Sequence, residues 1–217
     1  MTTEQEAPVK RRRQAAAPSG PQPAWPGDPE HVEAGGVDFE AVAHVLANTC
    51  RWGGRTRRFL SIAQHALTVS EEIGALEGIA DGDCRALALH ALLADARAAW
   101  PGEAEGAGAT PARAAAQAKT PGGRIDRAVR EAAGLDPEPP EEWAEVLRFV
   151  ARMADAAERR DLVVGAGGLP FPPLRRAIRP MAPEAAAERW LARLRELGAN
   201  AGTGGGSAVP AGAERAS

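Results

Sequence analysis

Apolar residues recur every three or four positions over most of the chain from residue 39 to residue 198. This is the spacing of one face of an α-helix. The first such segment follows Asp38 and the second follows Ser61, and both residue types favour the N-cap of a helix. No segment alternates apolar and polar residues as a half-exposed β-strand does. Further segments predict helices at about 84–100, 123–133, 140–162 and 183–198. The pattern therefore predicts an all-α fold.

The ends of the chain lack this periodicity. Residues 1–24 are polar and rich in proline and alanine, which predicts a disordered tail. Residues 199–217 are rich in glycine and predict a flexible tail. Between them, Pro101 ends the third predicted helix, because proline cannot continue it. We therefore expect one helical bundle over residues 25–198.

The composition restricts the class of protein. A net charge of -3 and an isoelectric point near 5.9 argue against general binding of nucleic acid, which usually requires a basic surface. Two cysteines are too few for a disulfide framework and suit a reducing compartment. No apolar run approaches the roughly 18 residues that span a bilayer, and no apolar segment follows the basic cluster at residues 10–13 as in a secretory signal. We expect a cytoplasmic protein without a nucleic-acid or membrane partner.

Three polar residues interrupt the apolar helical segments. His65, Asp95 and Asp155 fall on the second, third and fifth predicted helices, where an unpaired charge is costly. One imidazole and two carboxylates are the ligand types of a divalent-metal site. A structural histidine and two salt bridges are the alternative, and spacing alone leaves both open. The arginines close enough in sequence to form such bridges are Arg85 or Arg97 for Asp95, and Arg152 or Arg159 for Asp155.

A basic, glycine-containing loop precedes the second helix. Arg51 offers a bidentate donor for an anion, Trp52 offers a stacking surface, and Gly53 and Gly54 permit unusual backbone conformations. Such a loop suits a phosphate and a base. A basic surface turn whose tryptophan fills the core is the alternative. Three further arginines add to the positive charge of this loop: Arg55, Arg57 and Arg58.

Taken together, these segments resemble the HD-domain metal-dependent phosphohydrolases, and more narrowly the bacterial and phage HD proteins related to 5′-deoxynucleotidases. The resemblance covers roughly residues 25–198. It implies a helical HD-type domain, a divalent metal of the Mn, Mg, Co or Zn class, and a nucleotide or other small phosphate ester as ligand. Because relatives are often dimers, a homodimer is also expected. The matching segments are residues 38–44, 51–54, 61–65, 88–103, 154–155, 159–162 and 184–198.

The resemblance also implies roles for individual residues. The metal-binding histidine of the family falls on His65, its adjacent His-Asp pair on positions 94–95, and its distant aspartate on Asp155. The Arg-Trp pair of the substrate loop falls on Arg51 and Trp52, which in relatives contact the nucleotide.

The chain departs from the family pattern at two positions. Position 94 is Ala where the family has a metal-binding histidine. Position 98 is Ala where a glutamate commonly assists the metal-activated water, and loss of such a group typically costs about 10²–10⁴-fold in rate. His90 lies one turn before Ala94, about 6 Å along the axis, which is farther than an imidazole reaches without bending the helix. We therefore expect impaired phosphate-ester hydrolysis or, alternatively, a non-catalytic nucleotide-binding or regulatory protein.

Overall fold

The chain forms a bundle of helices without β-strands over the residues that the structure, a computed structural model, describes: 31–101, 120–165, 168 and 171–199. The all-α prediction is therefore confirmed. The predicted tails fall outside these residues, except for Ala199, which is buried. None of the described helices is long and apolar enough to cross a membrane. The helices are α1 (Phe39–Asn48), α2 (Ile62–Gly74), α3 (Asp81–Leu93), α4 (Pro121–Ala132), α5 (Glu141–Asp161) and α6 (Pro183–Glu196), with 3-10 turns at Ala34–Gly36, Arg51–Gly54 and Ala96–Ala99.

Helix α2 is the central helix of the bundle. It contacts α1, α3, α5 and α6, and every residue from Ile62 to Ser70 is buried. A helix covered on all sides must find partners for its polar side chains. The amide of Gln64 donates to the carbonyl of Arg179 (2.7 Å) and accepts from the backbone N–H of Met181 (3.0 Å). The imidazole of His65 needs a partner in the same way, and α5 supplies it.

The first two helices begin where the capping residues predict. The carboxylate of Asp38 accepts hydrogen bonds from the backbone N–H groups of Glu40 (2.9 Å) and Ala41 (3.1 Å). The hydroxyl of Ser61 accepts from the backbone N–H of Gln64 (3.1 Å). Each cap satisfies backbone donors that the first turn of a helix leaves without partners.

The third helix is shorter than the sequence predicts. Instead of one helix over residues 84–100, α3 ends at Leu93 and a 3-10 turn follows at Ala96–Ala99. Asp95 lies between them with non-helical backbone angles (φ -104°, ψ 10°). The break has a physical reason, because it lets the carboxylate of Asp95 stay partly exposed (22%) and face His65 instead of lying unpaired in an apolar helix.

Candidate functional site

The turn after α1 is fixed against the start of α2. The backbone N–H of Arg51 donates to the carbonyl of Leu60 (2.8 Å), and that of Ile62 donates to the carbonyl of Thr49 (3.0 Å). Trp52 adopts left-handed backbone angles (φ 56°, ψ 23°), which cost a residue with a Cβ roughly 1–2 kcal/mol. Such strain persists only where surrounding contacts impose it, so the position of the Trp52 side chain is determined by its partners.

The carboxylate of Glu158 in α5 is the centre of these contacts. Glu158 is 1% exposed. Its Oε1 accepts from Nδ1 of His65 (2.7 Å), while its Oε2 accepts from Nε1 of Trp52 (2.8 Å) and Nη2 of Arg51 (3.3 Å). Burial alone would raise the pKa of Glu158, but the charges of His65 and Arg51 and the hydrogen bonds from His65 and Trp52 outweigh it and hold that pKa at about 2. The buried carboxylate is therefore ionised.

Sequence analysis did not identify Glu158, although the helical pattern contains a signal for it. Val150, Ala154 and Ala157 are buried on α5, and Glu158 lies on the same face, eight residues after Val150 and four after Ala154. A glutamate on the buried face of a helix requires a partner. Its spacing of three residues from Asp155 places the two carboxylates side by side.

Asp155 pairs with Arg51 rather than with an arginine of its own helix. Nη2 of Arg51 lies 2.5 Å from Oδ1 of Asp155. The two bridges that sequence spacing offered, to Arg152 and Arg159, are not formed within the part of the chain that the structure describes. Burial raises the pKa of Asp155 despite the charge of Arg51. Burial lowers the pKa of Arg51, but the surrounding carboxylates outweigh this and raise it overall.

The carboxylate of Asp95 also faces a different group from those that sequence spacing offered. Its Oδ2 lies 3.9 Å from Nε2 of His65. Arg97 instead pairs with Asp126 (3.4 Å), and Arg85 donates to backbone carbonyls at the end of α6. These two bridges are therefore not formed between described residues.

His65 is consequently surrounded by three carboxylates. Burial and the charge of Arg51 both lower the pKa of the imidazole, but Glu158 and Asp95 outweigh them, so the pKa of His65 is raised. Nδ1 of His65 also lies 3.9 Å from Oδ1 of Asp155. The structure thus brings together His65, Asp95 and Asp155, the three residues predicted as metal ligands, and adds Glu158 to them.

This group could hold a metal ion. One ligand atom from each of His65, Asp155 and Glu158 lies within 4.8 Å of the others. Imidazole nitrogen and carboxylate oxygen are suitable donors for several divalent ions. Two atoms bound to one ion at about 2.1 Å each are separated by at most about 4.2 Å. The 3.9 Å between Nε2 of His65 and Oδ2 of Asp95 therefore suits an ion on that side of the imidazole, while Nδ1 faces Glu158.

Positions 94 and 98, where the resemblance implies a histidine and a glutamate, offer no ligand atom. Ala94 is exposed at the end of α3, and Ala98 is buried in the following 3-10 turn. His90 does not replace them, because its ring packs edge-on against Trp143 (5.9 Å between centroids). Burial lowers the pKa of His90 to about 4, so this histidine is neutral near pH 7.

Comparison with known proteins does not assign the chain to a family: no protein-family model matches it, and no curated protein matches it significantly. The three carboxylates of Asp95, Asp155 and Glu158 against the one guanidinium of Arg51 leave a formal net charge of about -1 when His65 is protonated and about -2 when it is neutral, as a metal-bound imidazole is. A partly buried group of this charge favours the binding of a cation.

Proposed function

We propose that this chain is a degenerate HD-type phosphohydrolase that binds a divalent cation and a nucleotide or other small phosphate ester, with impaired hydrolysis. The observation that carries the proposal is the hydrogen bond from Nδ1 of His65 to Glu158 (2.7 Å). Metal-binding histidines almost always donate their second ring N–H to a carboxylate or carbonyl, which fixes the tautomer. Here it leaves Nε2 free on the side of Asp95, at 3.9 Å from its carboxylate.

In this proposal His65, Asp95 and Asp155 hold the ion, and Glu158 orients the imidazole. A bound divalent ion supplies Lewis acidity to a phosphoryl oxygen and lowers the pKa of its water. The oxygen-rich ligand set favours Mg or Mn over softer ions. Arg51 would hold the phosphate from the edge of the group, where its side chain is 14% exposed and carries paired donors that suit phosphate oxygens.

Two groups that efficient hydrolysis requires are missing from this arrangement. Ala94 supplies no fourth ligand, and Ala98 supplies no acid or base to move a proton during attack on the phosphate. General acid–base assistance is typically worth about 10²–10⁴-fold in rate. We therefore expect that binding is retained better than turnover.

A non-catalytic nucleotide-binding or regulatory protein is the second candidate, and the ion pair of Arg51 with Asp155 favours it. The guanidinium already neutralises a carboxylate that the metal needs as a ligand. Charge balance at Asp155 therefore does not require an ion, which lowers the affinity expected for one.

The test combines metal binding with turnover. Mn²⁺ is titrated calorimetrically into protein freed of metal with EDTA, and hydrolysis of deoxynucleoside mono- and triphosphates is then assayed with Mn²⁺ or Co²⁺. We expect Mn²⁺ binding that His65→Ala abolishes and that Asp83→Asn, at an exposed carboxylate of α3, leaves unchanged.

The double variant Ala94→His with Ala98→Glu separates the two candidates. A gain in turnover of at least about 10²-fold over the wild type supports a disabled phosphohydrolase. Metal and nucleotide binding with no turnover in either protein supports the non-catalytic candidate. Fast turnover by the wild type contradicts the proposed impairment, and absence of both Mn²⁺ and nucleotide binding overturns the proposal.

A further inference from the structure

Arg159 is an arginine beside the site that no described carboxylate engages. It follows Asp155 by four residues on α5, which is the spacing of a helical ion pair, but Asp155 is bound by Arg51. The guanidinium carbon of Arg159 lies 5.8 Å from the centroid of the Trp52 ring. Its Nε is buried and has no hydrogen-bond partner among the described residues. The terminal nitrogens of Arg159 are not among these buried atoms and have no ion pair with a described carboxylate, so this end of the guanidinium is available to an anion.

Three further arginines lie next to this end of α5. Arg55, Arg57 and Arg58 are exposed, and none of them forms an ion pair within the described ranges. The backbone N–H of Arg57 donates to the carbonyl of Leu162 (2.8 Å), and that of Val164 donates to the carbonyl of Arg55 (3.3 Å). The backbone therefore fixes the arginine loop against the residues that follow α5. We call Arg55, Arg57, Arg58 and Arg159 the arginine face.

The charge of the arginine face exceeds what one phosphate needs. A divalent ion neutralises the charge of about -2 that the metal group, Arg51 included, carries with His65 neutral. A phosphate monoester adds about two negative charges at pH 7, which two positive charges would balance. Four more guanidinium groups add four positive charges at the edge of a group that is itself acidic. Guanidinium groups suit phosphate oxygens because their donors match them in pairs.

We propose that the arginine face binds the outer phosphates of a nucleoside triphosphate, so that the ligand class is a polyphosphorylated nucleotide rather than a monophosphate. This inference rests on the proposed function, in which the innermost phosphate lies beside Arg51 and the metal group. The outer phosphates then extend along the loop after Trp52, where Arg159 and the loop arginines provide their donors.

The test compares dAMP, dATP and inorganic tripolyphosphate by calorimetric titration into the full chain with Mn²⁺ present. We expect dATP to bind at least about tenfold more tightly than dAMP, from several charge-assisted contacts at exposed positions. The double variant Arg57→Ala with Arg58→Ala removes most of this advantage, so that it weakens the binding of dATP by a larger factor than the binding of dAMP. Arg159→Gln has the same effect in part. Arg195→Ala, at an exposed arginine of α6, is the matched control and changes neither affinity.

Three of the four outcomes separate this inference from the proposed function. If dAMP binds as tightly as dATP, the inference is wrong while the proposed function stands. If tripolyphosphate binds through Arg57 and Arg58 but neither dAMP nor Mn²⁺ binds, the arginine face is supported and the proposed function is wrong. If the double variant weakens dAMP and dATP equally while its thermal unfolding is unchanged, the arginine face does not select for outer phosphates. If none of the ligands binds, both are overturned.

Discussion

Replacement of Glu158 by glutamine tests the centre of the site without changing its shape. The carboxylate accepts hydrogen bonds from His65, Trp52 and Arg51 and is almost fully buried. Glutamine keeps one acceptor oxygen but replaces the other oxygen with a donor, and it carries no charge. If the amide oxygen stays with Trp52, the amide nitrogen faces Nδ1 of His65. The imidazole must then accept at Nδ1 and carry its proton on Nε2.

The free energy of unfolding that Glu158→Gln is expected to lose follows from the pKa of Glu158 and, independently, from its burial in an ion pair. The pKa of Glu158 falls from 4.5 to about 2 in the folded protein, and at about 1.4 kcal/mol for each pH unit this corresponds to about 3–4 kcal/mol. Removing one partner of a buried ion pair typically costs about 3–5 kcal/mol. Since small domains have about 5–15 kcal/mol of stability, the Glu158→Gln variant is expected to fold.

Urea denaturation followed by circular dichroism, in EDTA at pH 6, measures this loss. We expect Glu158→Gln to lower the free energy of unfolding by about 3 kcal/mol and the Tm by about 6–12 °C. Glu145→Gln changes an exposed glutamate of the same helix and is the control, with an effect within about 0.5 kcal/mol. In the metal titration, the altered tautomer of His65 is expected to weaken Mn²⁺ binding about 10–100-fold.

The urea denaturation and the Mn²⁺ titration test two different roles of Glu158. A loss of stability below about 1 kcal/mol, close to that of Glu145→Gln, would refute the view that the ionised Glu158 holds the site together. A normal loss of stability with unchanged Mn²⁺ affinity would leave that view intact. It would show instead that Glu158 does not orient His65 for metal binding.

Three further predictions concern pH, capping and charge competition. In EDTA, the stabilisation from Glu158 is complete above its unfolded pKa of 4.5 and is lost as the pH falls toward about 2. The stabilisation from His65 is complete below its unfolded pKa of 6.5 and is lost as the pH rises through its raised folded pKa. The unfolding free energy difference between wild type and Glu158→Gln should therefore be largest between pH 4.5 and 6.5, and a larger difference at pH 8 would contradict this. Asp38→Ala removes two hydrogen bonds at the start of α1 and should lower the free energy of unfolding in urea by about 1 kcal/mol; no change would mean that the cap is not stabilising. Arg51→Met frees Asp155 from its ion pair. It should increase the affinity for Mn²⁺ measured by calorimetry and lower the stability of the metal-free protein. A decrease in Mn²⁺ affinity would refute competition between the guanidinium and the ion.

Local sequence patterns were sufficient to predict the helical fold. Asp38 and Ser61 cap the first two helices because a side-chain oxygen and a backbone N–H two or three residues later are close in any helix start. The predicted starts of α1 and α2, and both bounds of α4, α5 and α6, lie within about two residues of those observed. The exception is α3, where the break at Asp95 depends on a partner in another helix.

Spacing also indicated which polar residues needed explanation. His65, Asp95 and Asp155 were singled out because each interrupts an apolar helical segment, and the structure brings all three together. Their role as metal ligands stays a prediction, as do the roles of Arg51 and Trp52 in holding a nucleotide. What the sequence by itself determined is thus the set of elements and a short list of side chains that cannot remain unpaired.

Only the tertiary structure decided which side chains satisfy one another. Arg51 reaches Asp155 and Glu158 across 104 and 107 positions of sequence, and His65 reaches Glu158 across 93. Sequence spacing favours near neighbours such as Arg159, because loop closure makes distant contacts improbable in an unfolded chain. The packing of α5 on α2 removes that cost for every pair it brings together. The ionised Glu158 at the centre, and Arg159 at the edge without a partner among the described carboxylates, are therefore consequences of how two helices meet rather than of either helix alone.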